Sequence, residues 1–476
     1  MKACYADGKD VNLEYGSDLT GVVKLFAYKY PKEIWDIKLP ESLKILFITD
    51  GNLTAFNVEF PKGLKYLNLN HNAIEKWDKE LPDLDEFIIS NNRITEWNTS
   101  LPNSIFMFDI TNNNLGNWNK ELPDNIEIFK ISFNRLSKWT TSLKHLSVFD
   151  ISCNQLKSWN IDLEFVDEFN IYNNHLTKWN SSLENTLKFT IADNGLTEWT
   201  AELPNTLIYF DISSNYLREW TIKLPRNLNT FAADHNFIQN WNVKLPGSLQ
   251  KLHLRNNKIS KWTVELPDLL SNLMLEFNII KELNINLNKL ETFHISNNLI
   301  KEWNCIIPDT MRELDVSFNH LYEWNISLKN ITYFNIENNN LTVWDVDLPR
   351  TLVSLNISNN LLTEWTKELP GLIQFNTIGN NFENWQVHID NVIEFSASFA
   401  HLQWICDDLN MPQLKTHMTE EKVEYLIPSL VSLCLDIVDK PAYINISKTK
   451  LGSFCGYAVK KIEYKIIDGM MRKILS

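Results

Sequence analysis

The chain of 476 residues has little of what most function classes require. Glycine is scarce, at 13 residues, and no P-loop, GxSxG or HExxH pattern appears. No pair of carboxylates stands apart as an acid–base couple, so no catalytic chemistry is indicated and the expectation is that the chain is not an enzyme. The six cysteines (Cys4, Cys153, Cys305, Cys406, Cys434 and Cys455) are scattered without a CxxC pair, and reduced thiols are expected. Basic charge is in deficit. With 45 Lys and Arg against 59 Asp and Glu, the formal net charge is −14, which excludes a phosphate backbone as principal partner. Long apolar runs are missing too: the longest, "YLIPSLVSLCLDIV", is interrupted by Pro and Ser, so no membrane span is expected. The opening "MKACYADGKDVNLEYG" lacks the apolar core of a signal peptide, and an intracellular, cytoplasmic protein is the expectation.

What is abundant is tryptophan, and it is ordered. All 17 tryptophans fall on one ladder, at 35, 77, 97, 118, 139, 159, 179, 199, 220, 241, 262, 303, 324, 344, 365, 385 and 404. Phe56 and Leu283 fill its two gaps, giving 19 rungs spaced by 20 or 21 residues, with a last step of 19. Five residues before the rung stands Asn at sixteen successive positions, from Asn72 to Asn380. Three before it is Leu or Ile, as in Ile94 and Leu115, and eight and ten before it sit apolar pairs such as Ile110/Phe108 and Ile131/Phe129. The unit reads L-x-x-[FL]-x-I-x-x-N-x-L-x-x-W-x-x-x-L-P.

The physics of this unit can be argued directly. F-x-I has the period of two of a short strand with one buried face. Asn follows where the chain leaves that strand, and its amide both donates and accepts, so it can satisfy backbone groups that a turn leaves open. Length varies only after the rung, in the return segment, where "LPDL" alternates with "LPNSI" and "LPDNI". Surface segments tolerate such insertions, which assigns the return to the outer side and a parallel sheet to the inner one. An exposed tryptophan row would be a stacking track for sugars or single-stranded nucleic acid. Yet the residue before Trp is as often Glu as Lys, and Leu283 substitutes in register. The row is therefore predicted to fill the core.

This pattern resembles the leucine-rich repeat family, whose core is LxxLxLxxNxL, over residues 22–404, with Trp in place of a Leu. The resemblance implies a curved α/β-type solenoid with a parallel concave sheet, about 19 coils and an irregular convex side. Residues 1–21 are expected to form an N-terminal cap and 405–476 a small, mostly helical C-terminal cap or adaptor-binding module. It further implies a protein partner bound on the concave face. Positions eleven, nine and seven before each rung set that face, and the candidate contact residues there are Asp109, Lys130, Asp150, Asp211, Asp234, Arg255, Glu276, Asp315 and Glu337. The acidic majority suggests a partner of basic character. His253 and His294 are two coils apart, and neither a metal site nor a cofactor is expected.

After Trp404 the repeat stops. In "SLVSLCLDIV", Leu430, Cys434 and Val438 recur every four residues and so share one helix face. The spacing from Ser429 to Val438 resembles the elongin-binding helix of suppressor-of-cytokine-signalling and von Hippel–Lindau boxes, although Lys440 stands before Pro441 where an apolar residue is usual. That resemblance implies a substrate receptor recruiting elongin and a cullin ubiquitin ligase. Two alternatives stand beside it: a cap helix that only seals the last coil, and a structural scaffold whose length is its function.

Overall fold

The computed structural model of the chain describes residues 1–5, 8, 10–143, 145–163, 165–385, 387 and 394–396. The chain divides into two compact units, one comprising Met1–Ile259 and Thr263–Leu270, the other Ser260–Trp262 and Ser271–Ser476. Leu430, Cys434 and Val438 lie outside the described residues.

Each unit is a parallel-strand solenoid with one strand per repeat. The first lays down twelve such strands from Val22–Tyr28 to Lys251–His253, and the second seven from Asn272–Met274 to Glu394–Ser396. Most are three residues long, as in Met107–Asp109 and Ile128–Lys130, with the central residue buried and its neighbours half-buried. Matching positions pair across the sheet: Phe108 lies opposite Phe129, and Phe129 opposite Phe149. At the start of the first unit, β1 (Lys2–Tyr5) pairs antiparallel with both β2 (Asp10–Asn12) and β3 (Val22–Tyr28). This hairpin covers the edge that β3, the first repeat strand, would otherwise leave unpaired.

Tryptophan belongs to the core. Every rung from Trp35 to Trp365 is buried except Phe56, and Leu283 is 1% exposed in the same register. Several neighbouring indoles stack, as in Trp159–Trp179 at 6.3 Å and 8°, others such as Trp303–Trp324 are tilted at 43°, and many tilt against strand phenylalanines, as Trp118 does on Phe129 at 5.2 Å. Many indole N–H groups find a carbonyl inside their own coil, for example Trp118 Nε1 to Lys120 O at 2.9 Å, whereas those of Trp97, Trp220, Trp241 and Trp324 are buried without a partner among the described residues. The return side is more regular than its variable length suggests. Short parallel ladders join Lys76–Trp77 to Glu96–Trp97 and Glu323–Trp324 to Val343–Trp344, because equal spacing from strand to rung keeps backbone groups of adjacent coils in register.

The asparagine row stitches the coils together. Asn134 donates from Nδ2 to the carbonyls of Ile110, Ile131 and Ser132 at 3.1–3.2 Å, while its Oδ1 accepts from the Leu115 amide at 3.0 Å. Two of those four partners, Ile110 and Leu115, belong to the preceding coil, so each Asn bridges coils as well as closing its own turn. The residue before the ladder Asn is left-handed, with φ between 51° and 56° from His71 to Asn359. Asn, Asp or Gly suit this conformation, but Phe133, Phe277 and Phe318 also occupy it, each about half-exposed.

Candidate interaction surface on the open sheet face

Alternation along each strand sends the central residue into the core and its two neighbours to the opposite, open face. The candidate residues all belong to that face or to the turn leaving it. Asp109, Lys130 and Asp150 are direct register partners on three consecutive strands, so the structure brings them together as an acid–base–acid row. Asp211 lies opposite Thr190 and Ala232, apart from that row. Asp234 accepts the Arg255 amide at 2.6 Å, which ties those two turns to each other.

Several of these acids also serve their own backbone. Asp109, Asp150, Asp211 and Asp315 each accept, through Oδ1, the amide two residues ahead at 2.9–3.0 Å. These Asx-type turns cap the strand exit, where the ladder no longer supplies a partner. Asn170, Asn335 and Asn356 do the same at the equivalent position. One oxygen of each of these aspartates is thus committed to the fold.

The second unit carries the densest polar cluster. His294 Nδ1 lies 3.3 Å from Glu276 Oε1, and its Nε2 lies 3.0 Å from Glu313 Oε1. Glu276 and His294 are largely buried, with side-chain exposures of 10% and 20%, whereas Glu313 reaches solvent at 46%. Burial works to lower the imidazole pKa, but the hydrogen bond and charge of Glu276, with Glu313 and Asp315, outweigh it and hold the pKa above the ordinary value. Asp315 beside it is pushed up by burial, against the two hydrogen bonds it accepts from Ser317. Glu337, on the next strand's exit, accepts from Asn356 Nδ2 at 2.8 Å and Ser358 Oγ at 3.1 Å. Among the described residues no group of three His, Cys, Asp or Glu side chains is arranged to hold a metal ion. No helix there is long and apolar enough to cross a membrane.

A family model described as Leucine Rich Repeat matches residues 248–273. Among solved structures, YopM from Yersinia enterocolitica WA-314 is similar over 79% of this chain and 91% of its own, at 24% identity and a TM-score of 0.66. The repeats are leucine-rich repeats. A second YopM structure, a leucine-rich effector protein from Yersinia pestis, is similar over 67% of this chain and 84% of its own at 23% identity and a TM-score of 0.43. The functional domain of InlJ from Listeria monocytogenes is similar over 64% of each chain at 17% identity and a TM-score of 0.49. No curated protein matches the sequence.

Counting charges along the leucine-rich repeat face missed two features. One is the Glu276–His294–Glu313 contact, which runs diagonally over three strands and joins positions seven, nine and eleven before their rungs. The other is apolar: Phe26, Phe47 and Tyr66 stack in sequence on the open face, with centroids 4.9 and 5.0 Å apart. The apolar row was available from the register, had every residue type at those positions been tabulated; the diagonal contact was not.

Proposed function

We propose that the protein is a non-enzymatic interaction module that binds a protein partner on the open, concave face of its leucine-rich repeats. The observation that carries this reading is the contrast between faces. The indoles and the ladder asparagines are turned into the coils, whereas the open face sets half-buried apolar and charged side chains in register over many strands. Its acidic bias favours a partner segment with basic residues. The test is a random peptide library displayed on phage and panned against the full chain. Selected peptides should lose binding on Lys130→Glu or Asp315→Lys and keep it on Lys138→Glu, a substitution in the tryptophan ladder row. Binding indifferent to every open-face substitution would contradict the proposal.

A sharper version makes the chain a cullin-type substrate receptor. It is supported by the Leu430/Cys434/Val438 spacing alone. Pull-down with purified elongin should then recover the wild type and not a Leu430→Ala/Cys434→Ala variant. Equal recovery of both would leave only the interaction module.

A further inference from the structure

Every one of the first seven repeat strands presents an apolar side chain on the open face, and the unbroken run ends at the eighth. Phe26 is followed by Ile45 and Phe47, then by Tyr66, whose strand pairs with Glu86–Ile88. Ile88, Met107, Ile128 and Val148 continue it on the next four strands, all half-buried. The direct partners of Met107, Ile128 and Val148 are one another, so these three form a continuous row. On the eighth strand the position is Glu168, ion-paired with Lys188 at 2.5 Å, and polar residues take over. None of these apolar groups contributes to the core, whose residues are the alternate Phe, Leu and Ile of the same strands. Elsewhere in the sheet the same positions are mostly polar, with Tyr209, Ala232, Met274 and Tyr333 as scattered apolar exceptions.

Lys24 and Lys44 stand beside the first two strands of the stripe, whereas the charges beside its last four strands are mainly acidic. Glu86, Asp109, Glu127 and Asp150 lie on or next to its strands against Lys130, while Lys65 is already engaged with Asp85 at 3.0 Å. Strand spacing of about 4.8 Å is close to the roughly 5.4 Å rise of one helical turn. A helix laid across the strands would therefore set about one apolar residue on each of them. Six intervals of that spacing, about 29 Å, correspond to a helix of about 19 residues.

We propose that the stripe from Phe26 to Val148 is the docking surface for an amphipathic, basic helix of a partner protein, its apolar face on the stripe and its cations toward the flanking carboxylates. The proposal rests on the open-face reading above and deepens it by naming the partner's chemistry. It makes the N-terminal seven strands the apolar anchor and leaves the Glu276–His294 cluster outside the contact. Apolar anchors in partly desolvated rows carry most of the energy in such interfaces, and surrounding charges set orientation and association rate.

The probe is a fluorescent Leu/Lys peptide of about 18 residues with leucines at helical spacing, compared with a scrambled peptide of identical composition. Anisotropy titration on the full chain at physiological salt should show the helical peptide binding roughly tenfold tighter or better. Ile128→Asp or Met107→Asp should weaken it by about tenfold, and Lys138→Glu, beside the tryptophan ladder, should leave it within about twofold. Should either Asp variant perturb the tryptophan fluorescence of the folded chain, Val148→Thr, which keeps the shape, replaces it with the same expected direction. Equal affinity for the scrambled peptide, or binding untouched by the stripe substitutions, overturns the proposal. If peptides panned from the random library still depend on Lys130 or Asp315 in that event, the stripe assignment fails while the open-face reading stands.

Discussion

A single asparagine per repeat does work that no other side chain of its size can do. Asn134 offers two N–H groups and an acceptor to four buried backbone positions, two of them in the preceding coil. Alanine there would leave the Ile110, Ile131 and Ser132 carbonyls and the Leu115 amide without that partner. Each buried group so stranded costs about 1–3 kcal/mol. Asn134→Ala should therefore destabilise the chain by at least about 2 kcal/mol, seen as a lowered urea midpoint in tryptophan fluorescence. A change indistinguishable from zero would mean that the row is ornamental. Asp315 makes the opposite point about legibility. Its acidity looks like a binding feature, yet one oxygen holds the Ser317 amide and hydroxyl. The signal was present as Asp-x-Ser or Asp-x-Thr, repeated at Asp109, Asp150, Asp211 and Asp315. A chain-leaving aspartate with Ser or Thr two residues on is as much a turn cap as a contact.

At the scale of strands, the fold was legible because two periods coincide. Alternation of two fixes which side of a strand is buried, and the 20- or 21-residue step fixes which strands are neighbours. Together they placed Asp109, Lys130 and Asp150 side by side, as the pairing shows. Contacts that run diagonally were not legible, because linear spacing does not say how far a long side chain leans across the sheet. The Glu276–His294–Glu313 cluster is such a case, and its titration is testable. His294 has a folded pKa raised above its unfolded value, so its ionised form stabilises the fold. That stability is fully present below the unfolded pKa of about 6.5 and is lost as pH rises through the raised folded value. His294→Ala, which strands Glu276 in a mostly buried place, should cost about 3 kcal/mol in mildly acidic buffer. The cost should shrink in alkaline buffer, where the wild type no longer holds the charge, as read from urea midpoints at the two conditions. An identical cost in both would show that the imidazole is neutral throughout.

For the molecule as a whole, the repeats divide labour between two sides. The tryptophan ladder fills the space behind the sheet and fixes the register; it is largely buried, and many of its indole N–H groups bond to the next carbonyl but one. Variation that could encode a partner is confined to the open face, continuously apolar over the first seven strands and mostly polar beyond Val148. An eye drawn to 17 regular tryptophans looks first at the wrong side, because the rarest residue stands out whatever its role. The most direct measurement of this division takes one peptide selected from the random library and titrates it against single substitutions on both sides of the sheet. Affinity should fall with Ile128→Asp, Lys130→Glu or Asp315→Lys, depending on where that peptide lies, and hold with Glu96→Lys and Lys138→Glu beside the indoles. Loss confined to the ladder-side substitutions, with the open face indifferent, would contradict the account.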